Sequence, residues 1–224
     1  MVSKEEWDRL CHEFISRGVT LVAVSKTKPL ADIRELYALG QRDFGENYVR
    51  EMVEKYTDLP ADIHWHFIGH LQSNKVKNIA PFVYLIHSVD SFKLLEEVNK
   101  QALKYGRKID VLLQMYIASE ETKFGMDEKE IIVLLDHYDA RKEQLQNVRI
   151  CGLMGMATNT DNEAKIRSDF FKLHNFFVFL KDTSFFAKEY FSVCSMGMSS
   201  DYQLAIEEGS NMVRIGSLLF GVRN

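Results

Sequence analysis

Short apolar runs alternate with helix-like segments from one end of this chain to the other, and this alternation restricts the fold more than any other feature. The runs cover residues 20–25, 43–45, 65–68, 83–89, 110–117, 150–154, 191–196 and 212–220. The first is β-branched and apolar throughout, as a strand buried on both faces would be. Between the runs, apolar residues recur at helical spacing. Ser3 and Glu6 make a capping-box pair ahead of Trp7, Leu10, Cys11 and Phe14. Ile33, Leu36 and Tyr37 lead to a stop at Gly40, and Leu94, Leu95, Val98 and Leu103 to one at Gly106. Asp127 and Glu130 cap a helix carrying Ile131, Leu134, Leu135 and Tyr138. A long helix follows with Ile166, Phe170, Leu173, Phe177 and Leu180, and then a short one at 201–208 that stops at Gly209. Strict βα order argues a parallel sheet covered by helices. Eight strands match a closed (β/α)8 TIM barrel of small size. A doubly wound open sheet is the alternative, weakened because no G-x-G-x-x-G follows the first strand. No linker divides residues 1–224, so the chain reads as one α/β domain.

Composition narrows the function classes. The net charge of −4 gives no nucleic-acid footprint, and Lys75-Val-Lys77 amounts to a few charges on a helix face. Cys11, Cys151 and Cys194 are odd in number and sit in apolar contexts, which favours free thiols in a reducing compartment. No run is long enough to span a bilayer and no signal peptide precedes the first helix, so a soluble, cytoplasmic protein is expected.

In such a barrel the chemistry gathers where strands end. Lys26 closes the first strand and Pro29 prevents that strand from continuing. An amine there, with an apolar stem, is either a snorkelling charge or a nucleophile towards aldehydes. Gly45-Glu-Asn-Tyr48 follows strand two and Gly69-His-Leu-Gln-Ser-Asn74 follows strand three. After strand seven, Gly197 permits a turn, and Ser199 and Ser200 stand where a helix begins. They either cap that helix or seat an anion together with Gly216 and Ser217. Arg214 shares a strand face with Met212 and Gly216. If that face is interior, Arg214 needs a partner, whether a carboxylate, a phosphate or a ring nitrogen. A strand-end lysine, an anion seat and an arginine together make a site for pyridoxal 5′-phosphate (PLP).

Six segments in order sharpen this reading. They are Ala23-Val-Ser-Lys-Thr-Lys-Pro29; Asp43-Phe-Gly-Glu-Asn-Tyr48; Trp65-His-Phe-Ile-Gly69 with Leu71-Gln-Ser-Asn-Lys75; Gly152-Leu-Met154; Ser195-Met-Gly-Met-Ser199 with Asp201; and Met212-Val-Arg-Ile-Gly-Ser217 with Phe220-Gly221. From about Leu21 to Gly221 the chain resembles the PLP homeostasis protein family, the YggS/PROSC group. The resemblance implies a fold type III barrel similar to the N-terminal domain of alanine racemase. It implies PLP held as an aldimine on Lys26, with Asn47 near the ring hydroxyl and Arg214 facing the ring nitrogen. It places Ser199, Gly216 and Ser217 near the phosphate, and Met154 and Ser195 as pocket neighbours. Tyr116 stands where the family often has asparagine, and Ser217 where it often has threonine.

A cation against the ring nitrogen disfavours its protonation and weakens the ring as an electron sink. Racemisation also needs a second base, which alanine racemases draw partly from another domain. The sequence ends at Asn224, soon after Gly221, and no second domain is expected. The expectation is therefore a PLP carrier with little or no turnover and no catalytic residues. It would act in intracellular PLP homeostasis, as a monomer, with PLP-dependent apoenzymes as acceptors. A slow racemase or lyase is the alternative. Lys28, Lys75 and Lys123 are candidates for assisting transfer, though each reads more simply as a surface charge. A metal hydrolase competes weakly through His64-Trp-His66, His70 and His87, without the further ligands such sites use; no metal is expected.

Overall fold

The computed structural model describes residues 2–119 and 124–221. Its strands are β1 (Thr20–Val24), β2 (Asp43–Glu46), β3 (His64–Phe67), β4 (Leu85–Val89), β5 (Ile109–Gln114), β6 (Val148–Met154), β7 (Val193–Met198) and β8 (Met212–Ile215). They lie side by side in chain order, all parallel, and β8 returns to pair with β1, placing Val22 opposite Arg214. The sheet is thus a closed barrel, and the open doubly wound alternative is excluded. The helices α1 (Lys4–Arg17), α2 (Leu30–Ala38), α3 (Val49–Asp58), α4 (Val76–Ile79), α5 (Phe92–Lys104), α6 (Glu128–Ala140), α7 (Glu163–Asp182), α8 (Tyr202–Glu207) and α9 (Ser217–Phe220) complete the βα units.

Local chemistry sets the helix ends. The Ser3 side chain accepts from the Glu6 N–H at 3.3 Å, and Gly18, at φ 65°, closes α1. Asp127 and Glu130 form both halves of a capping box at α6. One core lies between strands and helices and buries Leu10, Phe14, Phe44, Trp65, Phe67 and Phe170 among others. Each such side chain contributes about 1.5–3 kcal/mol. The second core fills the barrel itself with Val22, Leu85, Leu112, Cys151, Met154 and Met212.

Three departures from the sequence reading have physical causes. The last strand stops at Ile215, and residues 217–220 turn into α9 instead of extending it. The strand at 110–117 leaves the sheet after Gln114, where Met115 only bridges to Met126. The helix α3 was not expected, although Val49, Met52, Val53 and Tyr56 have helical spacing. Its N-cap, Tyr48, makes no capping hydrogen bond and so leaves no start signal in the sequence.

Candidate functional site

Where β1 ends, two neighbouring elements clamp the backbone on each side of Lys26. Lys55 Nζ, from α3, donates to the Ser25 carbonyl at 2.7 Å, and Ser25 Oγ donates to Glu46 Oε1 at 2.5 Å. On the other side, the Thr27 N–H donates to Glu51 Oε1 at 2.5 Å. Thr27 needs such support because it sits at φ 64°, a left-handed conformation that β-branched residues resist. Lys55 Nζ also lies 2.7 Å from both Glu46 Oε1 and Glu51 Oε1, so one ammonium ties the clamp together. Burial pushes the Glu46 carboxyl up to about 7, against the pull of Lys55, and its Oε2 is buried without a hydrogen-bond partner.

Asn47 follows directly on β2. A Cβ at Gly69 would fall 2.3 Å from the Asn47 carbonyl oxygen, so only glycine lets the loop after β3 press Asn47 into place. Its Oδ1 is buried and has no hydrogen-bond partner.

The opposite wall comes from β7 and β8. Gly197, at φ 96°, turns the chain, and the Met198 N–H donates to Asp201 Oδ1 at 2.6 Å, folding the segment that carries Ser199 and Ser200. The Gly216 N–H donates to Ser199 Oγ at 3.2 Å, joining the two strand ends. Because α8 has 6 residues and α9 has 4, the wall offers hydroxyls and loop N–H groups more than a strong helix dipole. Arg214 points into the barrel. Its Nη1 donates to Ser195 Oγ at 2.6 Å and its Nη2 to the Gly155 carbonyl at 2.9 Å. Burial pulls the guanidinium down to about 10, which still leaves it a cation near neutral pH. Lys28 is more than a surface charge: its Nζ donates to the carbonyls of Phe220 at 2.9 Å and Gly221 at 3.3 Å.

Six of the expected residues, Lys26, Asn47, Ser199, Arg214, Gly216 and Ser217, line one cavity of about 470 Å³. Met154 packs inside the barrel below it, and Met156 lines the wall instead. Ser195 is buried under the cavity, in contact with Arg214. Lys75 lines a neighbouring cleft with Tyr48 and His70. Tyr116 sits just past β5, where its N–H donates to Met126 O at 2.8 Å. Lys123 lies outside the described residues.

The four histidines do not form a ligand set: His66 lies 2.9 Å from His87, but His70 stands apart. His64 and His66 both meet Asp43 Oδ1, at 3.2 and 2.9 Å, whereas His70 faces Asp90 Oδ2 at 3.3 Å and stacks on Phe124. Among the described residues no group of three His, Cys, Asp or Glu side chains is placed to hold a metal ion.

Comparison with known proteins places the fold and the family. A family model described as "Alanine racemase, N-terminal domain" matches residues 4–224. A protein of Aquifex aeolicus named "Pyridoxal phosphate homeostasis protein" is 41% identical over 207 residues, covering 91% of this chain and 86% of that one. The structure of PipY from Synechococcus elongatus without PLP superposes with a TM-score of 0.87 at 38% identity, covering 97% of this chain and 99% of that one. The form with PLP bound gives 0.84 at the same identity and coverage. An alanine racemase from Bartonella henselae, at 16% identity and a TM-score of 0.67, shares the fold; the match covers 97% of this chain and 57% of that one.

Proposed function

Because the chain belongs to the pyridoxal phosphate homeostasis protein family, we propose that it binds PLP in the cavity at the lip of its barrel and serves intracellular PLP homeostasis. The observation that carries this reading is the gathering of an amine, a guanidinium, an amide and several hydroxyls around one cavity of about 470 Å³. The donor set fits the cofactor group by group. Asn47 supplies a buried carbonyl oxygen with no protein partner, which a polar ligand group would satisfy. Ser199, Ser217 and the loop at Gly216 would hold the phosphate. Arg214 would face the ring nitrogen, and Lys26 would be the covalent tether. When bound, PLP supplies an electrophilic aldehyde and an electron-withdrawing ring.

This chain's residues favour holding over turnover. Arg214 keeps a positive charge where a proton on the ring nitrogen would otherwise sit. Among the described residues lining the cavity there is no tyrosine, histidine or carboxylate to serve as a second base. The other amine, Lys28, is engaged with two backbone carbonyls. The clamp around Ser25 and Thr27 fixes the backbone from which Lys26 reaches the ligand. We therefore read residues 1–224 as one working domain that passes PLP to apoenzymes, acts as a monomer and resides in the cytoplasm. The thiols fit a reducing compartment, since burial pushes Cys151 and Cys194 up to about 12. No described helix is long and apolar enough to cross a membrane.

The test is direct. Protein mixed with PLP should turn yellow, and borohydride should fix the chromophore on the peptide containing Lys26. Failure to take up PLP, or a label on another lysine, refutes the site. Rapid α-deuteration of L-alanine in deuterated water refutes the carrier reading.

A further inference from the structure

Below the lip cavity a single file of polar side chains crosses the barrel interior. Arg214 Nη1 lies 2.6 Å from Ser195 Oγ, which lies 3.3 Å from His87 Nδ1. His87 Nε2 lies 2.9 Å from His66 Nδ1, and His66 Nε2 lies 2.9 Å from Asp43 Oδ1. The file passes from β8 through β7, β4 and β3 to β2. Ser195, His87 and His66 are 0% exposed and Arg214 is 4% exposed. Asp43 emerges at the barrel floor beside a second cavity, of about 450 Å³.

Counting donors and acceptors favours one arrangement. A guanidinium only donates, so Ser195 Oγ accepts from Arg214 and gives its own proton to His87. His87 Nδ1 is therefore bare and its proton sits on Nε2. That proton points at His66 Nδ1, which is bare in turn, and the His66 Nε2–H ends on Asp43. The reverse sense needs either a protonated Asp43 or a doubly protonated His66, and in both cases another acceptor for the Ser195 hydroxyl. Burial alone would raise the Asp43 carboxyl, but the His66 and His64 contacts outweigh it and hold the carboxyl below its usual value. A charged His87 is opposed by burial first and by the Arg214 charge, which hold it well below the usual imidazole value. The other groups facing the file are few. His64 shares Asp43 Oδ1, Tyr84 packs against both His64 and His66, and Asp110, Arg149 and Cys151 line the floor cavity. Asp201 acts on Arg214 from above.

The geometry points to His87 and His66 as positioning residues for Arg214. Both are neutral and protonated on Nε2, and together they form one directed hydrogen-bond chain from the floor carboxylate to the guanidinium facing the bound ring. The chain stands without a ligand; its effect on the ring rests on the PLP reading above. It holds the Ser195 hydroxyl as an acceptor for Arg214, and aligned links of one sense strengthen each other.

Nitrogen-15 NMR of the histidine-labelled, PLP-free protein tests the chain. His87 and His66 should both show Nε2–H with bare Nδ1 near neutral pH, and His87 should keep that form from about pH 5.5 to 8.5. An Nδ1–H form, or a titrating His87, overturns it. Two variants then test the positioning role. His87→Phe fills the space without an acceptor; it should shift the absorbance maximum of bound PLP and weaken binding about tenfold. His87→Asn restores an acceptor near Nδ1 but leaves a gap, so it should recover most of the wild-type absorbance while melting lower than His87→Phe. If absorbance and affinity instead follow melting temperature, the role is structural and the proposal falls. Wild-type protein that takes up no PLP would refute the cofactor half together with the function above, while the histidine spectra would still decide the chain.

Discussion

The two walls of the lip cavity rest on buried polar groups of opposite kinds. Under Lys26 the support is ionic and compact: one ammonium and two carboxylates from β2 and α3 hold Ser25 and Thr27. Under Arg214 it is neutral and long, a hydroxyl and two imidazoles spanning the barrel before a carboxylate appears. The difference follows from what each wall must present. A strained backbone beside Lys26 needs strong short contacts, and an ion pair provides them at the cost of desolvation, seen in the unpartnered Glu46 Oε2. On the PLP reading, Arg214 presents its charge to a ligand. A carboxylate directly against it would cancel much of that field; Asp43 lies at the far end of a neutral file, where its Coulomb energy with Arg214 is small, and Asp201 is the carboxylate whose charge acts on the guanidinium.

Substitutions can break this contrast, and the largest effect belongs to the ionic wall. Lys55→Ala leaves Glu46 and Glu51 without their shared counter-charge and should cost about 3–5 kcal/mol in urea unfolding at neutral pH. A loss below about 1 kcal/mol would mean that the clamp is not held by charge. The pH dependence of stability comes next, because the two walls should slope in opposite directions. The folded value of Glu46, about 7, lies above its unfolded value, so the folded state binds the extra proton. Its contribution is complete in acid and is lost as pH rises towards 7, by at most about 3 kcal/mol. The folded value of His87 is depressed, so the folded state binds fewer protons. Its contribution is present above about pH 6.5 and is lost below, by at most about 1.4 kcal/mol per pH unit. Glu46→Gln should remove the first slope and His87→Phe the second, as read from denaturation midpoints across pH. The smallest effect is expected at the floor. Asp43→Asn keeps an acceptor for His66 and removes only a distant charge, so PLP affinity in a spectroscopic titration should change less than about threefold.

The same contrast marks what was legible in the sequence. The barrel could be read because every strand and most helices announce themselves locally, and Lys26, Asn47, Ser199, Arg214, Gly216 and Ser217 could be expected at one lip because they sit at strand ends, where they line one cavity. Both supporting networks escaped. Lys55 looks like one more charge on a helix face, and nothing local shows it reaching back to Ser25. His64 and His66 were recognised as sharing a strand face, which they do, since both reach Asp43. Their direction was lost, because alternation along a strand tells which side faces the interior but not which neighbour lies across it. Met154 and Met156 show the same limit: both belong to one run of chain, and depth below the lip decides which of them borders the cavity.

The pairing of β1 with β8 carries a consequence for how the molecule is made. Lys26 leaves the ribosome early, but Arg214, Gly216 and Ser217 arrive with the last strand, on the far side of the seam. A nascent chain therefore has its amine long before it has anything to hold a phosphate or a ring beside it. On the PLP reading above, the cavity for the cofactor is completed only by closure of the cylinder, and an unfinished copy of the protein should lack it.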